Sequence, residues 1–385
     1  MISNNVINKI DQINIDNVIP YLLEHKLIDI KSIVDGDLQI FDVSRKNRNI
    51  RIMRKNNSSF LLKQSSQTDI NSSITLEREA LLYALMQNEN DFSSLVDLAP
   101  RIYDFDEDKN ILITEFVKGY SWNDYVYSKN NMNLEKENLS LLGQNLASYH
   151  IAFEKMIDSQ KLNFLPKTFS LEKLLIHPGP EIFVNLSQAN MKLLKIVQKD
   201  PNIYDILEKI FSSWNPQTLV HGDIKFDNII MSLINDEKHT KIINKIIIVD
   251  WELAMIGDPA WDIGSIFQEF IRIWLSLLPI TGTEDVEQLI NLSKNSFHNM
   301  QKSLRIFWEH YCKASRKNAN ELNELLIKST NFCSVRLIQS AYEMLHSQTE
   351  LNNLAVYMVQ ISLNILVNIN SAIIHLFGIP FRLEF

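Results

Sequence analysis

The stretch His221-Gly222-Asp223-Ile224-Lys225-Phe226-Asp227-Asn228-Ile229-Ile230-Met231, followed after a polar turn by the apolar run Ile246-Ile247-Ile248-Val249 and Asp250, constrains this chain more than any other feature in it. Two short apolar runs on either side of a turn read as strands, and each delivers a polar residue to one end. The spacing offers one carboxylate, Asp223, an amide, Asn228, and a second carboxylate, Asp250. A carboxylate to receive a hydroxyl proton and two oxygen ligands to hold magnesium on nucleotide phosphates are the parts that phosphoryl transfer asks of a protein. The plainer alternative is a helix N-cap Asp and a turn Asn in an ordinary loop. The further matches below weigh against it.

Asp250-Trp251-Glu252 is followed by Gly257-Asp258-Pro259-Ala260-Trp261-Asp262-Ile263. Upstream stand Ile111-Leu112-Ile113-Thr114-Glu115-Phe116-Val117-Lys118-Gly119, and Leu142-Gly143 with Leu146-Ala147-Ser148-Tyr149-His150. Through these residues the chain resembles the aminoglycoside phosphotransferase and choline kinase group, relatives of the protein kinases, over about residues 33–270. Beyond 270 no motif of the group is visible. The resemblance implies an α+β, protein-kinase-like two-lobe fold, with ATP and Mg2+ as cofactors. Its small antiparallel lobe with one main helix would span 1–117, including a helical lead-in over 1–30. The large, mostly helical lobe would span 118–385.

A chain of 385 residues is long enough for two lobes. Its formal charge of -8 argues against a nucleic-acid partner, whose phosphates call for a basic face. The N-terminus lacks the basic flank and apolar stretch of a signal peptide. Cys312 and Cys333 make neither a disulfide framework nor a metal knuckle, so a reduced, cytoplasmic protein is expected. The most membrane-like stretch, 354–377, carries Gln360, Asn364 and Asn368 four apart. That spacing lays a polar stripe on one helix face, which predicts a core helix of the second lobe and no membrane partner.

The periodicity predicts short helical segments to residue 30, then three strands between Asp37 and Gln64 with tight turns at 45–49 and 54–59. A helix follows over 75–87, and two more strands near 101–105 and 110–116. After Gly119 the pattern turns helical, with Leu139, Leu142, Leu146, Tyr149 and Phe153 on one face. Residues 160–215 show no clear pattern. Amphipathic helices fill the chain from 264 to its end, broken near 279–285 and 347–353.

Further site residues follow from the resemblance. Lys63 would contact the nucleotide phosphates, and Glu79, sixteen positions later, sits at the group's separation for the glutamate that holds this lysine. Glu77 is a competing partner. No glycine lies between Gly36 and Gly119, so the glycine-rich phosphate turn of protein kinases is absent. Its place is taken by 44–49, where Ser44 and Asn47 could donate to phosphates and Arg45, Lys46 and Arg48 add charge; a solvated basic hairpin is the alternative. The Glu115 carbonyl and the Val117 amide would hold adenine, with Thr114 at the rear wall. Lys225 could offset charge on the γ-phosphate or be a surface lysine. His221 would brace the loop, Asp262 would accept hydrogen bonds from its backbone, and His150 reads as a core histidine.

The acceptor is a hydroxyl of unspecified kind. From Thr281 to Phe385 there are nine acidic and nine basic residues, a balance that argues against a polycationic aminoglycoside. Lys225 and the long C-terminal helical region are compatible with Ser or Thr of a ribosomal peptide precursor, in which case a partner lyase would eliminate the phosphate. Choline, homoserine and sugars are alternative acceptors. A pseudokinase scaffold is the alternative outside catalysis, disfavoured because the lysine, the base and both metal ligands are present.

Overall fold

The computed structural model describes residues 12–44, 47–55, 57–65, 70–129, 132–167, 186–235, 241–278 and 286–380. The chain divides into two compact units, Met1–Gly119 with Ser232–Leu253, and Tyr120–Met231 with Ala254–Phe385. The first stretch of the first unit ends at Gly119. Ser232–Leu253, which sequence order assigns to the helical lobe, belongs to the first unit. The reason is a pair of long-range contacts: the Ile248 N–H donates to the Leu98 carbonyl at 2.7 Å, and Lys245 pairs with Asp97 at 2.9 Å.

In the first unit, β1 (Leu38–Asp42), β2 (Arg48–Arg54), β3 (Phe60–Gln64), β4 (Ile102–Asp106) and β5 (Ile111–Glu115) form an antiparallel sheet in the order β1-β2-β3-β5-β4. Strand side chains alternate between faces. Ile50, Ile52, Phe60, Leu62, Ile111 and Ile113 therefore share one face, where they pack against Ile13, Val18, Tyr21, Leu22 and Ile28 of the N-terminal lead-in. That lead-in holds α1 (Val18–Glu24) and α2 (Ile30–Val34). It is pinned to the sheet by the Ile13 N–H, which donates to Gln64 Oε1 at 2.9 Å. Lys63, one position past Leu62, points to the opposite face. On that side α3 (Ile70–Asn88) brings Glu79 to it.

The second unit is mainly helical. Its elements include β6 (Gly119–Ser121), α4 (Trp122–Ser128), α5 (Lys136–Glu154), α6 (Gln188–Val197) and α7 (Pro201–Ser212). A two-stranded ladder pairs β7 (Thr218–Val220) with β10 (Met255–Gly257). Between them run β8 (Ile229–Asn235) and β9 (Lys241–Ile248), along which the chain crosses into the first unit. The face predicted for α5 is the buried one, Leu139, Leu142, Leu146, Tyr149 and Phe153 all being fully inaccessible. The region without clear pattern contains α6 and α7; its residues 168–185 lie outside the described ones.

α8 (Pro259–Ser276) is the buried centre of this unit. Asp258 caps its first turn by accepting from the Ala260 N–H, with Pro259 at the position that tolerates a missing donor. α9 (Val286–Ser315), α10 (Ala319–Met344) and α11 (Asn353–Val367) follow. α10 opens with a full capping box between Asn318 and Glu321. A Cβ on Gly264 would lie 2.6 Å from the Ser329 carbonyl oxygen and 2.8 Å from the Cys333 nitrogen, so α8 and α10 touch backbone to backbone. Gly264→Ala is expected to destabilise the fold by about 1–3 kcal/mol, because two backbones cannot rotate away as a side chain can. A thermal melt superimposable on that of the parent protein would show that the two helices can part at no cost.

The expected helix over 354–377 is broken. α11 ends at Val367, Asn368 leaves helical geometry and caps the Ser371 N–H, and the following segment turns by 113°. Gln360 and Asn364 are exposed and bonded to each other at 3.0 Å, while Met358, Ser362 and Ile365 are buried. Among the described residues no single helix is long and apolar enough to cross a membrane.

Candidate active site

Lys63 lies at the centre of the first unit's polar cluster. Its Nζ donates to Glu79 Oε1 at 2.9 Å and Oε2 at 3.0 Å, and to Asp250 Oδ1 at 2.7 Å. Glu79 is fully buried and also accepts from Tyr83 Oη at 2.8 Å. Glu77 is exposed, so the structure pairs Lys63 with Glu79. Burial alone would lower the Lys63 pKa, but Glu79 and then Asp250 more than offset it and hold the ammonium above its usual range. Asp250 closes the apolar strand with φ of +68°, in the left-handed region that Asp tolerates better than most residues. The turn after it is fastened by the Trp251 indole N–H, which donates to the Ile248 carbonyl at 2.9 Å.

The side chains of the turn expected to contact phosphates have partners within the protein. Ser44 Oγ accepts from the Asn49 N–H at 3.0 Å across the hairpin. Asn47 donates to Glu252 Oε2 at 3.4 Å and accepts from Ser72 Oγ at 3.0 Å. Arg48 turns to the lead-in, donating to the Ile13 carbonyl at 3.1 Å and to Gln12 Oε1 at 2.9 Å. These side chains brace the protein itself, and Arg45 and Lys46 lie outside the described residues. Glu115 ends β5 with its N–H donating to the Arg101 carbonyl at 2.7 Å. Val117 follows, half-buried, and Thr114 is buried within the strand.

In the second unit the buried strand β7 runs directly into His221-Gly222-Asp223. Gly222 has φ of +82°, where a side chain would strain the backbone, which accounts for glycine between the histidine and the acid. Asp262, fully buried on the first turn of α8, accepts from the His221 N–H at 2.7 Å and from the Gly222 N–H at 3.3 Å. The Tyr149 hydroxyl donates to the same carboxylate. From the preceding position on α8, the Trp261 indole N–H donates to the Gly222 carbonyl at 2.9 Å. His221 is buried, and its Nδ1 accepts from the Asp223 N–H at 3.3 Å. Asn228 Nδ2 donates to the Asp223 carbonyl at 3.1 Å, closing the loop on itself. His150 is a core residue, with Nδ1 2.9 Å from the Tyr311 hydroxyl.

The Asp223 carboxylate is held by two cations. Lys225 Nζ lies 2.7 Å from Oδ2, and Arg336 Nη2 lies 3.2 Å from Oδ1. Burial pushes the Asp223 pKa up, but Arg336 and then Lys225 outweigh it and hold the carboxyl below its usual range. Arg336 is the neighbour of Asp223 that sequence reasoning missed. It is 2 % exposed and stands inside the apolar run Phe332-Cys333-Ser334-Val335-Arg336-Leu337-Ile338. A lone cation in such a run was the available signal, since a buried arginine requires a partner.

A model of the phosphotransferase enzyme family matches residues 37–284, well over half of the chain. No curated protein matches the sequence. Among solved structures, amicoumacin kinase hAmiN in complex with AMP-PNP, Ca2+ and Ami superposes with a TM-score of 0.52 at 11% identity, over 94% of this chain and 98% of that one. Choline kinase from Cryptosporidium parvum Iowa II superposes with a TM-score of 0.51 at 14% identity, over 95% of this chain and 99% of that one. Both likenesses concern the fold, which is protein-kinase-like: a β-rich unit with one long helix on its sheet and a mostly helical unit. The motif around Asp223, the Lys63–Glu79 pair and the family match together lead to one conclusion: this chain belongs to the phosphotransferase enzyme family, whose members transfer a phosphoryl group to an alcohol acceptor.

Proposed function

We propose that this protein moves the γ-phosphoryl group of ATP to a hydroxyl of a small molecule, with Asp223 as the base. The observation that carries this reading is the way the loop is built. Its backbone is fixed from behind by Asp262 and Trp261, while the Asp223 carboxylate remains 19% exposed at the loop's front. Phosphoryl transfer rests on positioning and charge stabilisation more than on covalent chemistry, and a loop fixed from behind that leaves the Asp223 carboxylate accessible suits it. Lys63, fixed by Glu79, is the phosphate-binding cation. Glu115 and Val117 offer backbone groups to adenine, and His221 braces the loop.

Each of the two expected metal ligands, taken in its own unit, is a hard oxygen donor of the kind magnesium takes. Asn228 has its nitrogen on the Asp223 carbonyl and would present its oxygen, and Asp250 offers a carboxylate. Among the described residues no group of three or more His, Cys, Asp or Glu is placed to hold a metal ion. Mg2+ favours few protein oxygen ligands and takes the rest from nucleotide phosphates and water. When bound, the ion would neutralise charge on the phosphate oxygens.

A small acceptor is favoured over a peptide by what the two peptide arguments become in the structure. Lys225 is bonded to Asp223, and α10 packs into the core against α8. The structural neighbours named above are kinases of choline and of amicoumacin, both small molecules. The test is transfer of label from ATP to a panel holding choline, homoserine, sugars, aminoglycosides and Ser- or Thr-containing peptides. Labelling confined to peptides would overturn the small-acceptor reading.

A further inference from the structure

Resting on the reading of Asp223 as the base, we propose that Arg336 is a positioning residue for the transfer: from α10 it fixes one oxygen of the Asp223 carboxylate, so that the other is aimed at the acceptor hydroxyl. The two cations on Asp223 are not equivalent. Lys225 comes from two positions along the same loop, and its side chain is 38% exposed. It can swing away when an acceptor or a phosphate arrives. Arg336 comes from a different helix and is 2% exposed, so it cannot.

The guanidinium is itself fixed on several sides. Nη1 donates to Gln339 Oε1 at 2.8 Å, one turn along α10. The group lies over the Trp261 ring, 5.3 Å from its centroid. That same indole holds the Gly222 carbonyl. Trp261 and Arg336 therefore act as a pair, one fastening the loop backbone and the other the side chain that the loop presents. The close approach of α8 and α10 at Gly264 brings the pair together.

An aspartate carboxylate has a broad preference about its last torsion. Left to itself, it would sample orientations in which neither oxygen faces the acceptor. A charge-assisted bond from an immobile donor removes that freedom. The arrangement also has a cost: Arg336 Nε is buried with no hydrogen-bond partner among the described residues. A buried unpaired donor is destabilising, and such deficits are characteristic of positions kept for function. Arg336 lies beyond residues 37–284, so this support comes from outside the segment matched by the family model.

The test needs no knowledge of the acceptor, because water can take its place. ADP release from Mg-ATP is measured for the parent protein, Arg336→Met, Arg336→Lys, Asp223→Asn and the double variants. Arg336→Met is expected to lower kcat by roughly 10- to 100-fold with the KM for ATP unchanged, the loss that misplacing a reacting group produces. Arg336→Lys is expected to recover part of the loss, and in the Asp223→Asn background neither change should lower kcat further. Unchanged kcat in Arg336→Met, or a loss that multiplies with that of Asp223→Asn, would overturn the inference. Should Arg336→Met fail to fold, the same cycle is run with Arg336→Lys, which keeps the charge but replaces the rigid two-nitrogen fork by a single rotatable ammonium; unchanged kcat or a multiplying loss overturns the inference there too. Parent-like turnover in Asp223→Asn would instead remove the base assignment, which keeps the two failures distinct.

Discussion

Asp223→Asn lowers turnover by roughly 10²- to 10⁴-fold, the range that a positioned acid or base contributes, while ATP binding stays near that of the parent protein. Asparagine keeps the shape, and its amide oxygen can still accept from Arg336, so the fold should be preserved. What it loses is the capacity to take a proton. Because Arg336 and Lys225 outweigh burial and hold the carboxyl below its usual range, the base is ionised at neutral pH, and the acid limb of the pH–rate profile should lie below the ordinary carboxylate range. Such a weak base suits a loose transition state, in which the hydroxyl proton leaves late. Steady-state kinetics across pH check both statements. Turnover within a factor of two of the parent protein, or an acid limb at or above the usual range, would require another base.

How far this centre is legible in the sequence depends on the range of the contacts. The loop around Asp223 is local, and its roles are written in consecutive residues: a glycine where φ is positive, an acid after it, an amide that folds back. The Lys63–Glu79 pair spans a strand and the next helix, and its fixed separation makes it readable. Asp262 is readable because the Asp258-Pro259 start places it on the first turn of α8. Arg336 is a different case. It reaches Asp223 across 113 positions through a helix with no motif of its own, and nothing local announces the contact. At the turn 44–49 composition suggests donors for phosphate, and what it does not announce is that Ser44, Asn47 and Arg48 have partners in the hairpin, α3 and the lead-in. The assignment of Ser232–Leu253 to the first unit escapes sequence order for the same reason, since the bonds that decide it reach back to Asp97 and Leu98.

Asp250 allows charge and backbone strain to be separated by choice of substitution. Its φ of +68° would cost an ordinary side chain about 1–2 kcal/mol, and less for Asp or Asn. Asp250→Ala therefore removes the carboxylate and adds strain, whereas Asp250→Asn removes only the charge. Both are expected to reduce phosphoryl transfer by roughly 10³-fold or more, the equivalent of several kcal/mol of charge stabilisation at the phosphates. Only Asp250→Ala should also lower the melting temperature. In either variant Lys63 keeps Glu79 but loses its second anion, so ATP affinity in the absence of Mg2+ should change little, and the gain in affinity on adding Mg2+ should shrink. Calorimetric titration of ATP with and without Mg2+ separates the two. An Asp250→Asn protein with parental turnover and parental Mg2+ dependence would place the metal on other residues, and would leave the left-handed conformation at Asp250 as a feature of the turn alone.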